Sequence, residues 1–244
     1  TESTKAESIQ QLGARVVDEP TAKRLLAGYG AHIPVGSAAC SVAEAVEVFG
    51  ELVDQGRAAV AVKGVGAAHK TDLDGVRLGL RTRQDVASAA TDLLRRFDTV
   101  LIEELIDGAV AELLLSVDLD PTFGPVLTLG WGGTRTELHA DVCRLVLPSE
   151  RDQIRTALLG LRCAPLLTGY RGAPAGDLEA VLDAVEATVA AATTDGSRSI
   201  EINPLLITPH GAWVADALVM EFGQLASPIP QVARPQQQGG SRAR

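Results

Sequence analysis

Short apolar runs of strand length alternate with segments of helical periodicity along most of the chain, and this alternation limits the possible fold more than any other feature. Aromatic residues make up only 3% of the 244 positions, so small aliphatic residues must do most of the packing, which suits close layers of helix on sheet. The expected class is therefore α/β (α+β). We expect strands near 58–62, 75–80, 99–103, 111–118, 126–129, 143–147, 199–202, 205–208 and 212–217, and helices near 22–30, 41–52, 85–97, 149–161 and 177–193.

The net charge and the cysteines exclude several kinds of partner and site. A formal charge of −9, without a block of Lys and Arg interleaved with aromatic residues, repels a nucleic-acid backbone, so we expect no nucleic-acid partner. Cys40, Cys143 and Cys163 are far apart and form no CxxC pair, so neither a disulfide framework nor a zinc site is indicated. No signal peptide and no run of about 18 apolar residues is evident, so we expect a cytoplasmic protein without a membrane partner.

The segment AVKGVGAAHKTDLDGVRLGL, residues 61–80, joins two expected strands through a polar loop. Lys63 ends the first strand, and its compact ammonium can neutralise a phosphate. His69 in the loop can accept or donate a phosphoryl group near neutral pH. The alternative is a solvated polar loop without chemistry, and these residues alone leave both interpretations open.

A second group of candidate ligands lies in IEINPLLITPHGAWVADALV, residues 200–219. Asn203 and Asp216 fall on neighbouring strands of an expected hairpin with its turn at 209–211. Magnesium commonly takes one or two protein oxygens and completes its shell with water and substrate phosphates, and this pair fits that pattern. The alternative is a turn asparagine before Pro204 and an ordinary edge aspartate. No GxGxxG after the first strand, and no GxxxxGK[ST] or GxSxG pattern, offers a competing phosphate or hydrolase site.

Five strings in the chain resemble, in order and spacing, the ATP-grasp domain of ADP-forming acyl-CoA synthetases, which is related to the nucleotide-binding subunit of succinyl-CoA synthetase. They are VKGVGAAHKTDLDGVRLGL, VLIEELIDG, DPTFGPVLTLGWGGTRTELHADVCRLVLP, LLTGYRG and EINPLLI. The resemblance extends over nearly all of the expected globular region. It implies an ATP-grasp fold whose two subdomains hold a nucleotide between them, with ATP or ADP and Mg²⁺ as cofactors.

The resemblance also implies roles for individual residues. Lys63 would contact the nucleotide phosphates, and Asn203 with Asp216 would bind magnesium. His69 matches a loop histidine that carries phosphate transiently, and Arg144 lies where a phosphate-facing basic residue is expected. The base would lie at the hinge between the subdomains and the ribose near the following strand, which assigns nucleotide contacts to Glu103, Glu104, Leu105, Ile106 and Glu112.

The implied activity interconverts a carboxylate, CoA and ATP with acyl-CoA, ADP and phosphate through a phosphohistidine. Because no GxGxxG unit precedes the matching region and the segment after it is short, we expect the CoA-binding part to belong to an α-type partner subunit or domain. Two alternatives are a non-catalytic regulatory subunit with the same fold and an ATP-grasp carboxylate-amine ligase.

Composition and the resemblance together divide the chain into four expected segments. These are a polar leader over 1–17, an N-terminal ATP-grasp subdomain over 18–100 and a C-terminal subdomain over 101–222. The fourth, 223–244, is rich in Pro, Gln, Gly and Arg, so we expect a disordered tail. Trp131, in a glycine-rich loop, is expected to shield the core rather than to cover the base.

Overall fold

The computed structural model describes residues 14–66, 74–133, 141–194 and 198–222. In this part of the chain, eleven strands form two sheets with antiparallel neighbours, and six helices pack beside them, which confirms the α+β form of the expected class. In chain order the elements are β1 (Arg15–Val17), α1 (Glu19–Gly28), β2 (Gly36–Ala39), α2 (Val42–Asp54), β3 (Val60–Val65), β4 (Val76–Leu80), α3 (Arg83–Leu93), β5 (Thr99–Glu104), β6 (Ala111–Asp120), β7 (Gly124–Trp131), β8 (Val142–Val146), α4 (Arg151–Leu159), α5 (Ala164–Thr168), α6 (Leu178–Thr193), β9 (Arg198–Thr208), β10 (Gly211–Val214) and β11 (Ala217–Glu221).

The smaller sheet has the strand order β2-β5-β3-β4, and with α2 and α3 it forms what we call the small lobe. Both helices begin at a capping side chain, because Ser41 accepts a hydrogen bond from the N–H of Glu44 and Thr82 accepts one from the N–H of Asp85. The helices bury their apolar sides against one face of the sheet. The small-lobe core includes Ala45, Phe49, Leu52, Val60, Val62, Val86, Leu93, Val100 and Ile102.

The larger sheet has the strand order β1-β11-β9-β6-β7-β8, with β10 paired to β9, and it forms the large lobe. Helix α6 packs on β6, β9 and β10, α1 packs on β11 and α6, and α4 packs near β7 and β8. The core between these helices and one face of the sheet includes Leu26, Leu113, Leu115, Leu127, Leu129, Leu158, Leu182, Val185, Ile200 and Ile202. None of the helices in the described ranges is long and apolar enough to cross a membrane.

The two sheets divide the chain differently from the expected segments. Residues 15–17, expected in the leader, form β1 and pair with β11. Helix α1 contributes Ala22 and Leu26 to the large-lobe core, and β5 belongs to the small lobe up to Glu104. A three-residue strand is too short to show a period, and the sheet to which a strand belongs depends on pairing between distant segments. Neither β1 nor the division of the strands between the two sheets can therefore be predicted from local sequence. Residues 1–13 and 223–244 lie outside the described residues.

The strands around Asn203 also differ from the expectation. Two short strands were expected over 199–208, but β9 runs through Asn203 and Pro204 without a break. The strand expected over 212–217 is instead divided, because β10 ends at Val214 and β11 begins at Ala217. The expected turn between β9 and β10 is confirmed, with Gly211 paired to Thr208.

Candidate functional site between the lobes

Four charged side chains meet where α1 of the large lobe faces the small sheet. Lys63 Nζ lies 2.5 Å from Glu103 Oε1 and 3.3 Å from Glu19 Oε1. Lys23 Nζ lies 2.6 Å from Glu103 Oε2 and 2.9 Å from Glu19 Oε1. All four side chains are at most 8% exposed, and their formal charges cancel, as the burial of charge requires. We call these four residues the ion cluster.

The ion cluster forms because side chains alternate between the faces of the small sheet. Lys63 pairs with Leu101, and Glu103 lies two residues further along β5, so Lys63 and Glu103 share a face. Glu19 and Lys23 lie one helical turn apart in α1, so they share the side of the helix that meets this face. The neighbouring positions on β3 and β5 point the other way, into the small-lobe core: Val60, Val62, Val100 and Ile102.

Lys63 connects the ion cluster to the predicted magnesium ligands. Burial alone lowers the pKa of Lys63, but the carboxylates of Glu103, Glu19 and Asp216 outweigh it, so the pKa lies above its ordinary value. The side chain is therefore an ammonium at any physiological pH. Its Nζ also donates to the carbonyl oxygen of Ala215 at 2.6 Å, one residue before Asp216. A lysine of the small lobe thus bonds directly to the backbone beside a predicted metal ligand of the large lobe.

Asn203 and Asp216 lie side by side in the large lobe. The backbone N–H of Asn203 donates to the carbonyl oxygen of Asp216 at 3.2 Å. The Oδ1 atom of Asn203 accepts a hydrogen bond from the N–H of Gly133 at 2.8 Å, which fixes the direction of the amide. Both side chains are half-buried. The backbone thus brings Asn203 next to Asp216, whose carboxylate acts electrostatically on the Lys63 ammonium.

Glu112 extends this polar region along the start of β6. Its side chain is exposed, and its carbonyl oxygen accepts from the N–H of Gly132 at 2.9 Å. A methyl group on Gly133 would run into the Glu112 carboxylate, so that carboxylate lies against the glycine backbone. Gly133 therefore contacts both Glu112 and Asn203 and connects the two residues.

The side chains of Glu103 and Glu104, at the hinge, point to opposite sides. Glu103 points into the ion cluster, whereas Glu104 accepts from the N–H of Val35 at 2.9 Å and pairs with Arg57 at 2.6 Å. A cavity of about 950 Å³ lies on the Glu104 side of the hinge. Its lining includes Glu104, Leu105, Ile106, His32, His210 and Trp213. The cavity is bounded by the hinge but not by the ion cluster or by the Asn203–Asp216 pair.

Arg144 lies apart from the residues described so far. It is exposed on β8, opposite Thr128 of β7, on the face of the large sheet that the helices leave open. Strand β8 is three strands away from β9, which carries Asn203. His69 lies outside the described residues. Trp131 packs against the large-lobe core, which confirms the expected core role.

Glu19 and Lys23 were missed in the sequence. Both are buried, as are Ala22 and Leu26, which occupy the same side of α1. Charged residues at the apolar positions of a short helix are the signal that could have identified them, because a buried charge requires a partner. The partner Glu103 is 80 positions away from Lys23, so its identity could not be read from local spacing.

Comparison with known proteins identifies relatives of the whole described region. A family model described as an ATP-grasp domain matches residues 8–220. Trans-feruloyl-CoA synthase FCS1, from an unknown prokaryotic organism, is 34% identical over 220 residues, which is 84% of this chain and 30% of that protein. The chain thus spans less than a third of the length of that relative. The ADP-forming acetate–CoA ligase I subunit beta of Pyrococcus furiosus is 26% identical over 214 residues, 83% of this chain and 90% of that subunit.

Solved structures of one acetyl-coenzyme A synthetase from Ca. Korarchaeum cryptofilum are also similar. One, in complex with coenzyme A and Ca-AMPCP, has a TM-score of 0.77 and 26% identity and covers 91% of this chain and 100% of that chain. Another contains coenzyme A and Mg-AMPPCP, with its phosphohistidine segment pointing towards its nucleotide binding site. That structure has a TM-score of 0.71 and 28% identity, and it covers 88% of this chain and 97% of that chain.

Proposed function

The chain belongs to the ATP-grasp domain family, and we propose that it is the nucleotide-binding part of an ADP-forming acyl-CoA synthetase. In the proposed reaction a carboxylate, CoA and ATP interconvert with acyl-CoA, ADP and phosphate. The chain exchanges a phosphoryl group between the nucleotide and a histidine. Support comes from relatives that carry this activity in their names, including a β subunit of which the chain covers 90%.

The main structural support for this proposal is the hydrogen bond from Lys63 Nζ to the carbonyl oxygen of Ala215, next to Asp216. A nucleoside polyphosphate needs positive charge and oxygen ligands for magnesium close together. Lys63 of the small lobe reaches Ala215, and the adjacent Asp216 lies beside Asn203 in the large lobe. We therefore assign the polyphosphate to the space between Lys63 and the Asn203–Asp216 pair.

The nucleoside end of ATP or ADP is assigned to the hinge. The cavity beside Leu105 and Ile106 has a volume of about 950 Å³, within the range of small-molecule sites. The hinge backbone at Leu105 and Ile106 would hold the base, whereas the Glu103 carboxylate, which the sequence assigned to the nucleotide, points into the ion cluster. Glu112 would accept hydrogen bonds from the ribose hydroxyls, because its carboxylate is exposed beside Gly133.

The proposed magnesium ligands fit a cation that is shared with the substrate. Asn203 Oδ1 accepts one hydrogen bond, from Gly133, and an amide oxygen has a second lone pair available for a ligand. Among the described residues no group of three or more His, Cys, Asp or Glu side chains converges to hold a metal. An amide and one carboxylate suit Mg²⁺, which keeps water and takes phosphate oxygens. The bound ion would offset the phosphate charge.

The phosphoryl-carrying role is assigned to His69, which stays a prediction from the sequence. A neutral ring nitrogen of His69 attacks the γ-phosphorus of ATP, and the bond from that phosphorus to the β–γ bridging oxygen breaks. ADP leaves, and the new N–P bond is the phosphohistidine. The reverse step regenerates ATP. Arg144, exposed on the open face of the large sheet, would attract a phosphorylated segment that approaches this face.

A CoA-binding subunit or domain of α type is the proposed partner, since one relative is named as a β subunit. For the subdomains, sheet membership supports a boundary between Glu104 and Ala111 rather than at residue 100. A cytoplasmic location and the lack of a nucleic-acid partner stay predictions from the sequence.

Phosphoryl transfer can be tested by incubating the purified chain with Mg²⁺ and γ-labelled ATP and measuring acid-labile label on the protein. We expect label on the wild type, and none on His69→Ala or Asn203→Ala. The control is Arg95→Ala, which removes a side chain that is 73% exposed and lies outside the cavity lining, and it should retain the label. A wild type that binds ATP without taking up label would instead favour a regulatory subunit, and label that persists in His69→Ala would contradict the assigned carrier.

A further inference from the structure

Lys23 is a buried cation that none of the roles above uses. Its side chain is 3% exposed, and its Nζ contacts Glu103 Oε2 at 2.6 Å and Glu19 Oε1 at 2.9 Å. Helix α1 cannot easily withdraw it, because Ala22 and Leu26 on the same side of the helix are fully buried in the large-lobe core. Lys23 is therefore held beside the two carboxylates that also hold Lys63.

Lys63 has no donor to spare for a phosphate in the described arrangement. An ammonium has three N–H donors. Lys63 Nζ contacts Glu103 Oε1 at 2.5 Å, Ala215 O at 2.6 Å and Glu19 Oε1 at 3.3 Å. Binding a phosphate must therefore replace at least one of these contacts. A carboxylate left in this buried place without a cation would oppose the exchange.

The geometry of Glu103 reduces the cost of leaving a buried carboxylate without a cation. Its two oxygens are divided between the lysines, Oε1 to Lys63 and Oε2 to Lys23. When Lys63 turns towards a phosphate, Glu103 keeps its contact with Lys23. We propose that Lys23 is a positioning residue that holds Glu103 and thereby releases Lys63 to the nucleotide. This inference rests on the proposed function, since it requires that Lys63 binds a phosphate.

The charges of the ion cluster give the direction of each effect. Without Lys23, two buried carboxylates would share one ammonium, and Lys63 would be held more strongly by them. Without the Glu19 carboxylate, two ammonium groups would share one buried carboxylate, and Lys63 would be freer to leave. Removing both restores one positive and one negative charge. Nucleotide affinity should follow this order because the phosphate competes with the carboxylates for Lys63.

The test measures the dissociation constants of Mg²⁺-loaded AMPPNP and of adenosine for folded wild-type and variant chains by calorimetry. In Lys23→Met, we expect AMPPNP to bind on the order of tenfold more weakly and adenosine, which has no phosphate, to change less than about twofold. Glu19→Gln should bind AMPPNP more tightly than the wild type does. The double variant Lys23→Met/Glu19→Gln should return towards the wild-type affinity.

A purely structural role for Lys23 gives a different pattern. It would weaken AMPPNP and adenosine together, and Glu19→Gln would weaken AMPPNP instead of strengthening it, so either result overturns the inference. If Lys23→Met does not fold, Glu19→Gln and the double variant still decide between the two patterns. A wild type that fails to bind AMPPNP at all overturns the proposed function itself, whereas normal wild-type binding with equal losses for both ligands overturns only the role of Lys23.

Discussion

At the scale of single residues, Gly133 joins two proposed ligand groups. Its N–H donates to Asn203 Oδ1, and its Cα carries no side chain where the Glu112 carboxylate lies. Its φ of 80° also favours glycine. A change at this position should therefore disturb the contacts of the proposed magnesium ligand Asn203 and of the proposed ribose ligand Glu112 together.

We expect Gly133→Ala to weaken Mg–AMPPNP binding about tenfold or more, because the methyl group displaces Glu112 and shifts the donor to Asn203. Gly124→Ala is the matched control, since Gly124 has a similar φ of 78° but open space around its Cα. Both variants should lose about 1 kcal/mol of stability from the positive φ. Calorimetric binding and urea unfolding measure the two effects, and equal affinity losses would show that strain alone is responsible.

Single residues also differ in how well their place in the site could be predicted from the sequence. Lys63, Asn203 and Asp216 stand out because each places a group that suits phosphate or magnesium beside an apolar run, although β3 continues past Lys63 and β9 continues past Asn203. Glu19 and Lys23 do not stand out, because their importance depends on Glu103, which becomes a neighbour only after the two lobes meet. Local spacing predicts ligands on one element, but it does not predict the counter-charge supplied by another.

At the scale of elements, Asp141 connects the start of β8 to the turn before α5. Its carboxylate accepts from the N–H of Arg162 at 3.0 Å and from the N–H of Cys163 at 2.9 Å. Burial by itself raises the pKa of Asp141, but these two donors outweigh it and hold the pKa below its ordinary value. Burial also raises the pKa of the Cys163 thiol to about 12, with Asp141 adding to the effect, so this cysteine stays protonated.

Asp141→Asn should reduce the free energy of unfolding at pH 7 by about 1–3 kcal/mol, because an amide nitrogen replaces one acceptor. A carboxylate with a lowered folded-state pKa stabilises the fold above its unfolded-state pKa of about 3.9, and this contribution is lost as the pH falls through the folded-state value. The difference between wild type and variant should therefore shrink below about pH 4 in urea titrations. A difference that is constant with pH would contradict this, and the exposed Asp98→Asn serves as the control.

Sequence periodicity was sufficient to predict the bounds of some helices and strands but not of others. The observed bounds of α6 and β5 lie within one residue of those expected, because α6 has a long apolar pattern of helical period and β5 has an apolar run of strand length. Around Asn203 the expected strands were divided in the wrong places, since Pro204 looks like a break but lies inside β9. The pairing of β9 with β6, β10 and β11 decides this, and pairing is a tertiary property.

At the scale of the whole molecule, two lobes with separate cores are joined by polar contacts. The cores are independent apolar clusters, whereas the ion cluster and the bond from Lys63 to Ala215 cross between the lobes. The nucleotide site that we propose therefore draws its charged groups from both lobes. The resemblance in the sequence predicted two subdomains with a nucleotide between them, but the sheet to which β1 belongs and the lobe to which α1 belongs required the structure.

The central claim is that the chain binds a magnesium–nucleotide complex through Lys63. The most direct measurement is a calorimetric titration of Mg–AMPPNP into wild type, Lys63→Met and the control Arg95→Met, which removes a cation that is 73% exposed. We expect Lys63→Met to weaken binding by roughly ten- to hundredfold, the value of one or two charge-assisted hydrogen bonds, and Arg95→Met to leave it unchanged. Equal affinity of wild type and Lys63→Met would contradict the claim.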